Sequence, residues 1–176
     1  AGCERDLSLL GLESIPVTHL RWMADDNPVP FEDALATMVA LRDEGKIQRI
    51  GLSNVDLEQL DLARKEIDVV TVSNLYSVGD RRDDPVVERC TEAGIAYLPF
   101  FPLAMGKIGR ESVVAAVAER LQTTPSVVAL AWLLQRSPVM LPIPGTSKVG
   151  HLEENVSATG LTLSEADLAE LDGTVA

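Results

Sequence analysis

The chain is short of cysteine, of positive charge and of long apolar runs, and each shortage narrows its function. Cys3 and Cys90 are the only cysteines in 176 residues, too few for a disulfide framework and too far apart for a metal-binding knuckle. No His, Cys or Asp spacing suggests a metal site either, and the expected setting is reduced and cytoplasmic. Fifteen Lys+Arg against 27 Asp+Glu leave a net charge of −12, the wrong sign for gripping a nucleic-acid backbone or an anionic membrane. Any anionic ligand must therefore be held by a local site against that field. No window reaches the roughly 18 consecutive apolar residues of a membrane span, and residues 1–12 carry no targeting pattern. An initiator Met is also missing, and residues 3–10 read as the last turns of an amphipathic helix rather than the start of a protein.

What is present is ordinary globular material, 46% hydrophobic and 24% charged, in an amount that fits one domain over 1–176. Short runs rich in β-branched residues alternate with longer segments of helical period, the mark of an α/β chain built from βα units on a parallel sheet. Five strands are predicted, at 15–22, 47–53, 69–73, 96–101 and 139–143. Between the first two, Pro30-Phe31-Glu32-Asp33 opens a helix with Leu35, Met38, Val39 and Leu41 on one face, ending at Gly45. Asp56 caps the next, with Leu57, Leu60 and Leu62 inward. Further helices are predicted at 85–93, 111–121, 125–135 and 164–171, the last with a Ser-x-x-Asp cap.

Such a pattern suits a doubly wound sheet or a (β/α)8 barrel. No Gly-x-Gly-x-x-Gly follows the first strand, so the dinucleotide fingerprint of the doubly wound fold is missing. Either architecture puts ligands at the C-terminal ends of strands. That gathers Arg21, Ser53-Asn54, Ser73-Asn74, Phe100-Phe101 and residues 144–148 at one mouth. The acids Glu4, Asp6, Asp83, Asp84, Glu153 and Glu165 read as solvated faces and helix caps.

At those mouth residues a family pattern emerges. Gly45-Lys46-Ile47-Gln48-Arg49-Ile50-Gly51-Leu52-Ser53-Asn54 closely resembles the GK(I/V)RxIGxSN strand of the aldo-keto reductases. Ser73-Asn74-Leu75-Tyr76 resembles their QNxY, Phe100-Phe101-Pro102-Leu103 their YSPL, and Ile143-Pro144-Gly145-Thr146-Ser147-Lys148 with Glu154-Asn155 their IPG(T/S)…EN. The helix carrying Ala131-Trp132-Leu133-Leu134 fits as well. The order and spacing match the second part of that family, strands 4 to 8, so the resemblance implies a partial (β/α)8 (TIM) barrel of about five parallel strands with flanking helices.

The family reduces carbonyls with NADPH, a Tyr hydroxyl donating the proton while Lys and Asp tune it. None of those three is assigned in this chain. The family's fourth member, a His, ends its strand 4; here Arg21 takes that position, with His19 two residues earlier on the same face. His19 reads as an interior histidine or, less in keeping with its depth, an acid or base. Arg21 could bind an oxyanion or pair with Asp25 or Asp26. Tyr76 is the one phenol whose place at a strand end would let it reach the mouth.

For the cofactor, NADP(H), the resemblance implies that Ser53 and Asn54 hydrogen-bond the nicotinamide carboxamide. Ser73 stands in for a Gln, and Phe100 supplies an aromatic face ahead of Pro102 and Leu103. It further implies that Thr146, Ser147 and Lys148, with His151 in place of a frequent Arg, take the 2′-phosphate, and that Glu154 and Asn155 face the adenine. Two functional readings remain beside carbonyl reduction: non-redox chemistry such as a lyase, dehydratase or cyclase, and a binding relic. The substrate implied is a small carbonyl compound or a relative of one. An open piece of barrel also predicts a homo-oligomer, or a partner chain, over 15–22 and 139–143.

Overall fold

The computed structural model describes residues 2–23, 28–104 and 112–173. Within these, the chain forms two compact units, Ala1–Ser73 and Asn74–Ala176. Asp25, Asp26 and Glu111, which figured in the expectations above, lie outside the described residues.

The first unit runs α1 (Gly2–Leu10), β1 (Ile15–Arg21), α2 (Phe31–Asp43), β2 (Ile47–Ser53), α3 (Leu57–Glu66) and β3 (Val69–Ser73). β1 pairs with β2 in parallel from Ile15 opposite Ile47 to Arg21 opposite Ser53. β2 pairs with β3 likewise, ending with Ser53 opposite Ser73. α2 buries Phe31, Leu35 and Met38 at i, i+4, i+7 spacing, while Val39 and Leu41, expected on the same face as Leu35 and Met38, are half-buried. It stops where Gly45 turns with φ 77°, a conformation that side chains resist. Asp56 caps α3 and closes a capping box with Gln59. β1, by contrast, has no fully buried residue.

The second unit runs α4 (Asp84–Ala93), β4 (Ala96–Tyr97), α5 (Ser112–Arg120), α6 (Pro125–Arg136), α7 (Val149–Ser157), a 3-10 turn and α8 (Glu165–Asp172). Its centre is α6, where Val127 through Leu133 are buried without interruption, so the helix is apolar all round. Arg120 of α5 donates to Asp167 at 2.5 Å, fastening α8 by the residue that also completes its Ser164 capping box.

Two strand expectations are corrected here. Among the described residues there are four strands, and the segment 96–101 yields only Ala96–Tyr97. The segment 139–143 forms a single bridge, Met140 to Tyr97. Prolines explain both: Pro99 interrupts one segment and Pro142 the other, with Pro102 and Pro144 directly beyond them, and each lacks the N–H that a ladder needs. Backbone hydrogen bonds from Tyr97 to Val139 at 2.8 Å, Leu141 to Tyr97 at 2.8 Å and Ile143 to Pro99 at 3.4 Å keep the extended course without a regular sheet.

Candidate functional site

In the first unit the ladder register lines up three candidate residues at the C-terminal strand ends. Arg21 is opposite Ser53, and Ser53 is opposite Ser73. Asn54 turns the chain out of β2 with φ 57°, an excursion that Asn tolerates better than most residues. Its N–H donates to the Ser73 carbonyl at 3.2 Å, and the Trp22 N–H donates to the Ser53 carbonyl at 2.8 Å. Ser53 is buried, Asn54 and Ser73 half-buried, and Arg21 exposed. The row thus offers two hydroxyls, one carboxamide and one guanidinium.

His19 shares the face of Arg21 one step deeper. Its Nε2 lies 2.8 Å from the Thr71 hydroxyl, across Gly51, where an added Cβ would collide with both side chains. Burial lowers the imidazole below its ordinary pKa, because it disfavours the charged ring. His19 is half-buried and engaged with Thr71.

In the second unit, Tyr76 is not at a mouth. It is 0% exposed, its ring stacked on Trp132 at 6.0 Å, and its hydroxyl donates to Asp84 at 2.6 Å. Burial, with the carboxylate beside it, raises this phenol well above its ordinary range. The expectation that Tyr76 could reach substrate is therefore corrected: a strand-end position gives proximity, but the side chain turns into the packed interior. Tyr97, also 0% exposed, donates to Asp83 at 3.0 Å and is raised by the same causes. Asp83 and Asp84 stand at the start of α4, as expected of helix-cap residues, but not on a solvated face. Both are half-buried rather than solvated, and Arg136 adds a contact to Asp84 at 3.2 Å. The only hint in the sequence was two acids together at a helix start, which more often signals capping.

Phe100 is half-buried and meets Phe101 edge-on at 5.5 Å; its N–H donates to the Asn74 carbonyl at 3.0 Å. Phe101, at φ 52°, is the more exposed ring at 50%, while Pro102 is buried and Leu103 half-buried. Thr146, Ser147 and Lys148 are exposed and lead directly into α7. The Lys148 N–H donates to the Thr146 hydroxyl at 3.1 Å, and no side chain caps the helix that follows. That start sets the first turn of a helix beside an ammonium and a serine hydroxyl, a set suited to a phosphate. His151 is exposed in the first turn. Glu154 accepts from the Thr124 hydroxyl at 2.5 Å, which ties α7 to the cap of α6, and Asn155 is half-buried beside it. Among the described residues no helix is long and apolar enough to cross a membrane, and no group of three or more His, Cys, Asp or Glu could hold a metal.

Comparison with known proteins gives one consistent result. A family model described as the aldo/keto reductase family matches residues 2–176. An uncharacterized oxidoreductase of Schizosaccharomyces pombe is 43% identical over 164 residues, covering 93% of this chain and 53% of that protein. Pyridoxine 4-dehydrogenase of Escherichia coli is 44% identical over 172 residues, covering 96% of this chain and 60% of the relative. The chain thus spans between about half and three-fifths of the length of these curated relatives. Among solved structures, a thermostable aldo-keto reductase in complex with the inhibitor epalrestat aligns with a TM-score of 0.84 at 30% identity, over 98% of this chain and 64% of that one. An aldo/keto reductase from Klebsiella pneumoniae, in complex with NADP and acetate, aligns with a TM-score of 0.81 at 26% identity, over 97% of this chain and 62% of that one. The fold is accordingly that of part of a (β/α)8 barrel, as the family resemblance implied.

Proposed function

The chain belongs to the aldo/keto reductase family, and from that premise we propose that it supplies cofactor-binding segments of an NADP(H)-dependent oxidoreductase acting on small carbonyl compounds in the cytoplasm. The observation that carries the reading is the row Arg21, Ser53, Ser73, closed by Asn54, at the ends of three paired strands. A planar carboxamide needs one donor and one acceptor at fixed spacing, and the Ser53 hydroxyl and Asn54 side chain offer both. Ser73, shorter than the Gln it replaces, leaves room for a bridging water. Thr146, Ser147 and Lys148 fit a phosphate by their chemistry, with His151 a weaker cation at neutral pH and Glu154 and Asn155 on the next turn of α7. Phe100 offers a ring face, which is all that stacking on nicotinamide requires. The cofactor, when bound, supplies the reducing equivalent; the chain's residues orient it and hold its charge.

Charge makes this reading testable. A phosphate entering a chain of net charge −12 needs a local cation, and one charge-assisted contact is worth roughly tenfold to a hundredfold in affinity. Lys148→Ala is expected to erase a preference for NADP(H) over NAD(H) while leaving weak NAD(H) binding, read by titration calorimetry. Equal affinities of the unmutated chain for the two cofactors would overturn the assignment.

A second reading is favoured by one observation: Arg21 is exposed while both phenols are buried. Arg21 can stabilise an oxyanion but, staying protonated, is a poor acid. Chemistry centred on it would be non-redox, with His19, two residues earlier on that face, as the acid or base.

We further propose a homo-oligomer or a partner chain over the uncovered apolar surface. Val17 on β1, and Leu141 and Ile143 in the 139–143 segment, are exposed, and apolar surface gains about 25 cal/mol per Å² when covered. Sedimentation is expected to show an assembly larger than the 19.0 kDa chain; a compact monomer at that mass would count decisively against it.

A further inference from the structure

Asp83 breaks a local rule. It occupies the N-cap of α4, where an aspartate ordinarily accepts from the helix's own N–H groups, yet its side chain makes no capping hydrogen bond. One carboxylate oxygen, Oδ2, instead takes two donors from elsewhere: the Asn74 amide at 2.5 Å and the Tyr97 hydroxyl at 3.0 Å. Half-burial of the carboxylate raises its pKa, and the two donors pull it back, so the arrangement costs desolvation that the hydrogen bonds must offset. Such a local conflict points to a purpose beyond helix capping.

Both donors lie at the root of candidate cofactor segments. The Asn74 carbonyl accepts from the Phe100 N–H, and the Tyr97 carbonyl accepts from the Leu141 N–H, from which the chain runs on to Lys148. We propose that Asp83 is a positioning residue: by holding Asn74 and Tyr97 on a single oxygen it fixes the backbone from which Phe100 is presented to the nicotinamide ring. This rests on the cofactor reading above.

Because both donors use one oxygen, an amide can replace the carboxylate. Asp83→Asn keeps an acceptor there, whereas Asp83→Ala removes it. In Asp83→Ala, hydrogen exchange at the Phe100 amide is expected to quicken roughly tenfold to a hundredfold, and the dissociation constant for NADPH to rise by a similar factor. Asp83→Asn should stay within about threefold of the unmutated chain on both readouts. Should Asp83→Ala fail to fold, Tyr97→Phe, which removes only the hydroxyl, is expected to quicken Phe100 exchange several-fold while amides of α6 keep their protection. An unchanged Phe100 rate in every variant, or Asp83→Asn as fast as Asp83→Ala, overturns the proposal. Loss of stability with no movement in NADPH affinity also overturns it, leaving Asp83 a structural residue only. If the unmutated chain binds no NADPH, the cofactor reading fails and the positioning role with it, while the exchange data still report whether the latch exists.

Discussion

Incubated with NADPH and a panel of simple aldehydes and ketones, these 176 residues are expected to oxidise the cofactor roughly 10²- to 10⁴-fold more slowly than a reductase that presents a phenol to its carbonyl oxygen, the usual range for losing a positioned proton donor. Carbonyl reduction needs an acid within about 3 Å of the developing alkoxide. Tyr76 and Tyr97 are the chain's only phenols, and both are fully buried and donate to Asp84 and Asp83. Each is also raised above its ordinary pKa by burial, which makes it a weaker acid than a free tyrosine. Absorbance of the reduced nicotinamide is the measurement. Turnover that survives Arg21→Ala but vanishes with Tyr76→Phe would show that the phenol reaches the substrate after all.

Trp132→Ala is expected to destabilise the chain by about 3 to 5 kcal/mol, the range for truncating a large buried aromatic. Trp132 stacks on Tyr76 at 6.0 Å, carries the Arg81 guanidinium at 5.9 Å over its ring, and donates its indole N–H to Asp172 at 2.9 Å. Removing it opens a cavity beside the Tyr76 ring, which in turn meets Tyr97 edge-on at 5.8 Å. It also strips one donor from Asp172, although Arg81 still pairs with that carboxylate at 3.2 Å. Trp132→Phe, which keeps most of the ring, should lose no more than about 1 to 2 kcal/mol through the hydrogen bond and the smaller volume. Urea unfolding followed by circular dichroism measures both, and a loss below about 1 kcal/mol for Trp132→Ala would contradict the central place given to this residue.

Most of the framework was legible because its causes are local. The strand at 47–53 follows from a short apolar run between helical segments, and the helix opened by Phe31 from a period of 3.6 residues. Asp56 and Ser164 announced their helices through caps whose partners lie three residues away. The family pattern singled out Ser53, Asn54 and Lys148 as candidates by the same kind of short-range signal, a run of residues in fixed order. The segment 139–143 misled because its alternation of apolar residues suits a strand while Pro142 and Pro144 deny it the hydrogen bonds of one.

By itself, then, the sequence determined the first three strands with their helices, the family pattern and the residues at those strand ends, since each depends on neighbours a few positions away. Only the tertiary structure decided which way the side chains at those ends turn. Tyr76 faces inward because Asp84 and Trp132 receive it, and Asp84 is held in turn by Arg136, 52 residues along the chain. Asp83 leaves its helix because Asn74 and Tyr97 converge on it from separate segments. Neither outcome is written in a local period: a buried polar group turns toward whichever partner satisfies it, and that partner is brought near only by the folded chain.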